Sequence, residues 1–438
     1  MPEKITADNT FDVLRRHILV DGYPIVVDLE KSRGCHLIDA QNGKRYFDFF
    51  SFYASNPIGI NHPKMQEPEF LKTLTRCAKV KPVLADVYTP EYAQFVETFA
   101  QIAGRSLFSK YFFIEGGALA NENALKAAFD WKVRKNLAKG KGEKGSQVIH
   151  FKQAFHGRSG YTMSLTNTDP KKIQYFPKFN WPRITNPKLE FPLTEEVTKR
   201  VAEQEKIALR EIHEAFDKNP EDIACIIIEP IQSEGGDNHF RGEFLRELRR
   251  ICDDREAMLI FDEVQTGFGL TGKFWCFEHF EVIPDLISFG KKSQVCGIAT
   301  TERVNEVDSV FKISSRINST FGGNFIDMIR CTQYLRIIHE EKLVENAAQS
   351  GEYLLRKLHE LQSKYQKITN IRGRGLLVAF DLPTAKMRDD YRRQAWDLGL
   401  LVLVCGERSI RLRPVLDISK SQIDEAIGLF ESTFKRCQ

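Results

Sequence analysis

Short apolar runs alternate with helix-like stretches between about residues 110 and 300. The runs read KYFFIEGG, SQVIHF, ACIIIEP, AMLIFDE and LISFG. They are continuously apolar, which is typical of strands covered on both faces. Helical periodicity begins near Asn121 and also covers 194–217 and 242–254, whereas the proline-rich segment 176–192 is expected to be irregular. The alternation predicts an α/β fold with a large, mostly parallel sheet.

The pattern changes beyond about residue 325. Residues 328–365 have helical periodicity, and one face of this stretch carries Leu354, Leu358, Leu361 and Tyr365. A helix with such a stripe packs on a core. The runs GLLVAFDL, LGLLVLVCG and SIRLRPVLDIS then indicate the strands of a smaller α+β domain.

The first fifty residues contain a hairpin signal at Asn42–Gly43. We expect this segment to pack against the C-terminal part of the chain. The predicted organisation is therefore an N-terminal segment over 1–55, a large domain over 56–325 and a small domain over 326–438.

Composition narrows the possible function classes. The chain has 438 residues, of which 42% are hydrophobic and 28% charged, as in ordinary globular proteins. A net charge of +4 gives no reason to expect nucleic acid or an anionic membrane as a partner. The nine scattered cysteines indicate free thiols, and the absence of a signal-like or membrane-spanning segment favours a cytoplasmic protein. His150 and His156 are expected in loops or the core, and no metal site is predicted.

Charged residues end two of the apolar runs. Asp262 ends one run, and Lys291 follows Gly290 at the end of the next. Each has an ordinary explanation, because a strand-end aspartate is often solvated or caps a helix, and an isolated lysine is usually on the surface. A buried carboxylate needs a cation, however, and a lysine at the mouth of a buried sheet can lose its proton and become a nucleophile. Ligands of parallel α/β sheets bind beyond the carboxyl ends of the strands, so both residues belong to one candidate site.

The stretch EGGALANENALK (115–126) supplies a third part of that site. Its glycines turn directly into a helix, whose N-terminal N–H groups and dipole favour a phosphate. Many such turns contain glycine for steric reasons alone, so this signal is weak by itself. A phosphate site, a carboxylate for a protonated ring nitrogen and an amine for an aldehyde together describe pyridoxal 5′-phosphate (PLP).

The same stretches resemble the class III, or ω-, aminotransferases. LIFDEVQTGFGLTGKFW followed by PDLISFGKK is similar to the family signature, in which the cofactor-binding lysine stands twenty-nine residues after the Asp. That spacing selects Lys291 rather than Lys292. The resemblance implies an aspartate-aminotransferase-like PLP-dependent transferase fold, with 56–325 as the PLP-binding domain and an active site at a homodimer interface.

The resemblance also implies which residues contact the cofactor ring. Asp262 would accept a hydrogen bond from the protonated ring nitrogen, which keeps the ring an electron sink. Phe155 of the AFHGR stretch would stack on the ring face, and Gln265 would bond the ring oxygen.

The phosphate contacts implied by the resemblance depart from the broader class. Many members carry a Ser or Thr in the glycine turn, whereas this chain has alanine and leucine there. The N–H groups of Gly117 and Ala118 would therefore hold the phosphate. Ser319 and Thr320 of NSTFGGN, reaching across from a second subunit, would complete the site.

On the substrate side, the resemblance implies two arginines and a masking glutamate. Arg158 would grip a distant carboxylate in a bidentate fork. Arg411 would bind the α-carboxylate of 2-oxoglutarate, and Glu234 would pair with Arg411 while a diamino acid is bound. Gln265 would also border the substrate. Arg413 is expected on the other face of its strand, in a structural role.

Within the class, stretches such as SNPIGINHP and AFHGRSGYTMSLTNT most resemble the L-lysine 6-aminotransferases. The resemblance implies transfer of the ε-amino group of L-lysine to 2-oxoglutarate by a ping-pong mechanism, with Lys291 as the proton carrier. The products would be 2-aminoadipate 6-semialdehyde and L-glutamate. Residues 50–59 would form part of the pocket wall. The alternatives are a 4-aminobutyrate or ornithine aminotransferase of the same class and a non-catalytic PLP-binding paralogue.

Overall fold

The computed structural model describes residues 4–80 and 86–437. Its strands are β1 His36–Ile38, β2 Arg45–Asp48, β3 Lys110–Ile114, β4 Gln147–Phe151, β5 Arg183–Ile184, β6 Ile223–Ile228, β7 Ile231–Gln232, β8 Asn238–His239, β9 Met258–Asp262, β10 Leu286–Phe289, β11 Cys296–Thr300, β12 Thr369–Arg374, β13 Leu377–Asp381, β14 Leu400–Leu401, β15 Leu403–Cys405 and β16 Ser409–Leu412. Its helices are α1 Thr10–Arg15, α2 Ser51–Ala54, α3 Pro68–Lys79, α4 Pro90–Ile102, α5 Gly117–Ala138, α6 Thr162–Leu165, α7 Glu195–Lys218, α8 Gly242–Asp254, α9 Phe325–Glu340, α10 Leu343–Lys364, α11 Ala385–Asp397 and α12 Lys420–Arg436.

A seven-stranded sheet forms the centre of the molecule, in the order β3-β11-β10-β9-β6-β4-β5. Strands β10, β9, β6, β4 and β5 pair in parallel, whereas β11 runs antiparallel to both of its neighbours, β10 and β3. The α/β class predicted from the continuous apolar runs is therefore confirmed. The register of β9 and β10 pairs Asp262 with Ser288, which places both near the carboxyl-terminal ends of these two central strands.

The sheet is covered on both faces, as its apolar strands require. In β6, Ile226 and Ile228 belong to the core that includes α8, while Cys225 and Ile227 belong to the core that includes α5. Because successive side chains of a strand point to opposite faces, α5 and α8 lie on opposite sides of the sheet.

Two smaller sheets accompany the central one. Strands β12, β13, β16 and β15 form an antiparallel sheet, and β1 and β2 form a hairpin that pairs with β14. The hairpin turn contains Gly43 at φ 74°, a left-handed conformation that glycine adopts without steric cost. The pairing of Phe47 with Leu400 joins the N-terminal segment to the C-terminal part of the chain. The domain boundaries after residues 55 and 325 stay predictions.

Three predicted elements differ from the structure. The helical stretch after 325 is two helices, because Lys342 adopts φ 52° between α9 and α10. Helix α5 begins at Gly117 rather than near Asn121, since Gly116 at φ 97° turns the chain directly from the strand end into the helix. The segment expected to be irregular contains β5, which adds to the edge of the sheet beside β4.

Two further features bear on the composition-based expectations. All nine cysteines lie within the described ranges and are free. Among the described residues, no helix has the length and apolar character needed to cross a membrane.

Candidate active site

A cavity of about 960 Å³ lies at the carboxyl ends of the central parallel strands. Nine of the residues predicted for the site line it: Gly117, Ala118, Phe155, Arg158, Glu234, Asp262, Gln265, Lys291 and Arg411. Ser319 and Thr320 do not line this cavity within one chain; Ser319 is half-buried and Thr320 is exposed.

The carboxylate of Asp262 is buried at the floor of the cavity and is held by three donors. Asn121 Nδ2 and His156 Nδ1 lie 2.7 and 2.8 Å from Oδ2, and the N–H group of Val264 lies 3.0 Å from Oδ1. Asn121 also donates to the main-chain oxygen of His156 at 2.9 Å and accepts from Ser288 Oγ at 2.5 Å. The carboxylate therefore has a fixed orientation before any ligand binds.

The start of α5 lines the cavity and has the features of an anion-binding helix terminus. No acidic residue stands in its first turn, and the first N–H groups of a helix have no partner within the helix. A Cβ at Gly157 would lie 2.4 Å from the Cβ of Ala118, so the loop that carries Phe155 packs on the helix start because residue 157 lacks a side chain. This arrangement fits the phosphate of PLP.

The two adjacent lysines face different surroundings. Lys291 lines the cavity, at the start of a short 3-10 turn in which its own φ is 53°. Burial lowers the pKa of the Lys291 amine and Arg411 lowers it further, whereas Asp262 opposes the change. Lys292 instead points away from the cavity, is 1% exposed, and donates to the main-chain oxygen of Asn56 at 3.1 Å. Only Lys291 of the pair can reach a ligand in the cavity.

A second carboxylate in the cavity wall, Glu229, bonds the main chain of the loop that carries Phe155. It accepts hydrogen bonds from the N–H groups of Phe155 at 2.9 Å and Ser233 at 3.0 Å. Burial raises the pKa of Glu229 to about 7. Glu229 thus holds the main chain of the loop that carries Phe155.

The three charged residues predicted to act on the substrate, Arg158, Glu234 and Arg411, all line the cavity. Oε2 of Glu234 lies 2.7 Å from Nη2 of Arg411, whose side chain is 2% exposed. Arg158 is exposed, and in the described part of the chain no acidic side chain pairs with it. Arg158 is thus available to a carboxylate ligand, whereas Arg411 is occupied by Glu234.

Gln265 connects the arginines to the cofactor side of the cavity. Its Oε1 accepts from Nη1 of Arg411 at 3.4 Å and from Nε of Arg413 at 3.1 Å, so its Nε2 is left to donate into the cavity. The prediction that Arg413 points to the opposite face from Arg411 is wrong, because residues two apart on an extended strand share a face. Arg413 is fully buried and pairs with Asp237 at 2.6 Å.

The predicted wall segment, 50–59, contributes Tyr53 and Ser55 to the cavity. It contains the short α2, which is a left-handed turn because φ of Ser51–Ala54 lies between 37° and 65°. Oδ1 of Asp48 accepts from the N–H groups of Phe50 and Ser51 at 2.8 and 2.7 Å and holds this turn.

Four residues that shape the site were missed by the sequence reasoning: Asn121, His156 as an Asp262 partner, Glu229 and Lys172. A usable signal existed for two of them. Asn121 is a polar residue in the buried, ligand-facing start of α5, and Glu229 directly follows the apolar strand β6.

The chain matches known proteins over nearly its full length. A family model described as aminotransferase class-III matches residues 19–434. This chain belongs to the class III aminotransferases. Enzymes of this class use PLP, which is therefore the cofactor of this aminotransferase.

Two relatives of this aminotransferase and one solved structure show how far the similarity extends. The L-lysine-epsilon aminotransferase of Mycobacterium tuberculosis is 49% identical over 431 residues, covering 98% of this chain and 95% of that protein. The mitochondrial 4-aminobutyrate aminotransferase of Sus scrofa is 33% identical over 413 residues, covering 88% and 80%. The solved structure of lysine aminotransferase from M. tuberculosis superposes with a TM-score of 0.97 at 48% identity, covering 99% of this chain and 100% of that one. The PLP-transferase fold predicted for this aminotransferase is thereby confirmed.

Proposed function

We propose that this aminotransferase moves the ε-amino group of L-lysine to 2-oxoglutarate, giving 2-aminoadipate 6-semialdehyde and L-glutamate. The observation that carries this is the pair of arginines in one cavity: Arg411 is masked by Glu234 at 2.7 Å, while Arg158 is free of acidic partners in the described ranges. A site with one open and one masked arginine suits a donor with one distant carboxylate and an acceptor with two. The 49% identity to a protein named L-lysine-epsilon aminotransferase supports lysine as the donor.

The residues around the cavity floor fit roles in holding the cofactor. When bound, PLP supplies an aldehyde that binds amines covalently and a ring that withdraws electrons from the carbon beside the nitrogen. Asp262 would accept a hydrogen bond from the protonated ring nitrogen, Gln265 would donate from its free Nε2 to the ring oxygen, and Phe155 would stack on the ring. Gly117 and Ala118 would donate from their N–H groups to the phosphate.

Lys291 provides the amine that carries the cofactor and moves the proton. Because burial lowers its pKa, the amine is more easily uncharged than an exposed lysine. An uncharged Nζ can take a proton from the substrate carbon that bears the ε-amine and can then pass that proton to the cofactor. Lys292 cannot take this role, because its amine donates a hydrogen bond to the main-chain oxygen of Asn56 outside the cavity.

The charged residues divide the two half-reactions between them. Arg158 binds the α-carboxylate of lysine far from the reacting ε-carbon, while Glu234 keeps Arg411 from attracting that carboxylate to the wrong end. In the second half-reaction Glu234 moves away, and Arg411 and Arg158 bind the two carboxylates of 2-oxoglutarate. Because donor and acceptor use the same cavity in turn, ping-pong kinetics follow.

We further propose that the working form is a cytoplasmic homodimer. Ser319 lies in a polar turn outside the cavity of its own chain, together with Thr320, and both have the chemistry to bond a phosphate. In the proposed dimer, Ser319 and Thr320 of each copy complete the phosphate site of the other. The free, mostly buried cysteines suit a reducing compartment.

A panel of amino donors with 2-oxoglutarate and coupled detection of glutamate tests the assignment. L-Lysine is expected to be the best donor, with parallel double-reciprocal lines. If 4-aminobutyrate or ornithine exceeds lysine tenfold in kcat/KM, the donor assignment is wrong while the class stands.

Variants of the two lysines test the alternative of a non-catalytic paralogue. Lys291→Ala is expected to abolish both glutamate formation and the change in cofactor absorption on adding lysine. Lys292→Ala should retain the lysine-induced absorption change. Absence of that change in the unmodified protein supports the non-catalytic alternative.

A further inference from the structure

The cavity contains a basic side chain to which the proposed function gives no role. Lys172 ends the short 3-10 turn Pro170–Lys172, in the loop that follows α6. It lines the cavity, and its Nζ lies 2.6 Å from Oε1 of Glu234 and 5.5 Å from the centre of the Phe155 ring. Lys172 therefore contacts one residue proposed to bind substrate, Glu234, and one proposed to bind the cofactor, Phe155.

Glu234 joins two cations through different oxygens. Oε1 faces Lys172 at 2.6 Å, and Oε2 faces Arg411 at 2.7 Å. The Lys172 side chain is 26% exposed and the Arg411 side chain 2%, so the carboxylate lies between a solvent-facing cation and a buried one. Burial would raise the pKa of Glu234, but Arg411 and Lys172 together hold it below the usual range. Because the two contacts use different oxygens, the geometry does not require that both break together.

We propose that Lys172 is a positioning residue that keeps Glu234 paired when Glu234 leaves Arg411, and thereby opens Arg411 to a dicarboxylate acceptor. The proposal rests on the proposed exchange between a monocarboxylate donor and a dicarboxylate acceptor. A carboxylate that leaves its arginine inside a partly buried cavity lacks a counter-charge, which is costly. Lys172 removes that cost because it already holds the other oxygen.

The proposal predicts an effect on only one of the two substrates. Without Lys172, Arg411 is the only cation left in contact with Glu234 among the described residues. The masked state is then favoured over the open one. A ligand that needs the open arginine binds more weakly, whereas a ligand that uses only Arg158 is unaffected.

The test measures binding to the PLP-loaded enzyme by titration calorimetry, with glutarate as an unreactive dicarboxylate and hexanoate as a monocarboxylate. Lys172→Met is expected to raise the Kd of glutarate at least fivefold and to change that of hexanoate less than twofold. Lys171→Met is the matched control, since Lys171 is the exposed neighbour and makes no side-chain contact with Glu234. Lys172→Arg, which keeps the charge, is expected to restore glutarate binding to within about threefold of the unmodified enzyme.

A double-variant cycle separates positioning from direct ligand contact. In a Glu234→Ala background, Lys172→Met is expected to leave glutarate binding unchanged, because no carboxylate remains to be held. A further loss of affinity in that background shows that Lys172 contacts the ligand itself and overturns the proposal. The proposal is also overturned if Lys172→Met raises the Kd of glutarate and hexanoate equally, or if its Kd for glutarate equals that of the Lys171→Met control. Neither ligand is an amino donor, so the result does not depend on whether lysine proves to be the best donor.

Discussion

The substitution Asn121→Ala tests whether the surroundings of Asp262 hold its carboxylate in place for the cofactor. Asn121 Nδ2 lies 2.7 Å from Oδ2 of Asp262, and its Oδ1 accepts from Ser288 Oγ at 2.5 Å. A hydrogen bond to a charged group contributes about 1.5–3 kcal/mol. If that bond fixes the carboxylate that meets the ring nitrogen, its loss weakens PLP binding by about 10- to 150-fold.

The same substitution is expected to lower stability without the cofactor. It leaves the Ser288 hydroxyl and the main-chain oxygen of His156 without a partner that they have in the native protein. Each buried group left unpaired costs about 1–3 kcal/mol. The free energy of unfolding of the cofactor-free protein therefore reports this loss separately from the loss of PLP affinity.

The assay compares Asn121→Ala with Asn123→Ala. Asn123 lies on the same helix and donates to the main-chain oxygen of Leu119 at 2.8 Å, away from Asp262. PLP dissociation constants come from titration of the cofactor-free proteins, and denaturant unfolding gives their stabilities. If the two variants bind PLP within twofold of each other, the orientation of Asp262 does not depend on Asn121 and the reasoning is wrong.

Three further predictions concern the lysine pair and the loop around Phe155. Burial, with Arg413, lowers the pKa of Lys292 from 10.5 to about 7. Between these pH values Lys292 carries a proton in the unfolded chain that it lacks in the folded protein. The free energy of unfolding therefore rises with pH in this range. Lys292→Met should remove a slope of up to about 1.4 kcal/mol per pH unit in denaturant unfolding at pH 7–10, and parallel pH profiles would contradict this. Arg158→Met should raise the KM of both lysine and 2-oxoglutarate by about 10- to 100-fold in steady-state assays, since each loses a charge-assisted bond of about 1.5–3 kcal/mol; an unchanged KM for either substrate counts against the role. Gly157→Ala places a Cβ 2.4 Å from that of Ala118 at φ 116°, so unfolding should show a loss of about 1–3 kcal/mol relative to Gly160→Ala; equal stabilities would show that the loop can shift.

The sequence predicted the elements of the site that carry their own local signal. Asp262 and Lys291 each end a buried apolar run, where a charge stands out against its neighbours. Partners that reach the same point from elsewhere carry no such signal. Asn121 was predicted at the start of its helix, but the helix begins at Gly117, so Asn121 stands one turn inside it, where its Nδ2 bonds Oδ2 of Asp262.

Other features depend on geometry that a linear pattern does not contain. The apolar character of β11 shows that it is buried but not that it runs antiparallel to β10. Lys172 stands in a loop without periodicity, so its contact with Glu234 follows only from the folded path of the chain. Arg413 is an exception, because alternation along a strand puts residues two apart on the same face and so predicts the shared contact of Arg411 and Arg413 with Gln265.

The left-handed turn Ser51–Ala54 gives one wall of the site a dependence on acid. Left-handed backbone costs about 1–2 kcal/mol for each residue with a side chain, and Asp48 offsets part of that cost through its bonds to the N–H groups of Phe50 and Ser51. Burial raises the pKa of Asp48 to about 6. Between pH 3.8 and about 6 the folded protein binds a proton at Asp48 that the unfolded chain lacks, so mild acidification stabilises the folded segment that carries Tyr53 in the cavity wall.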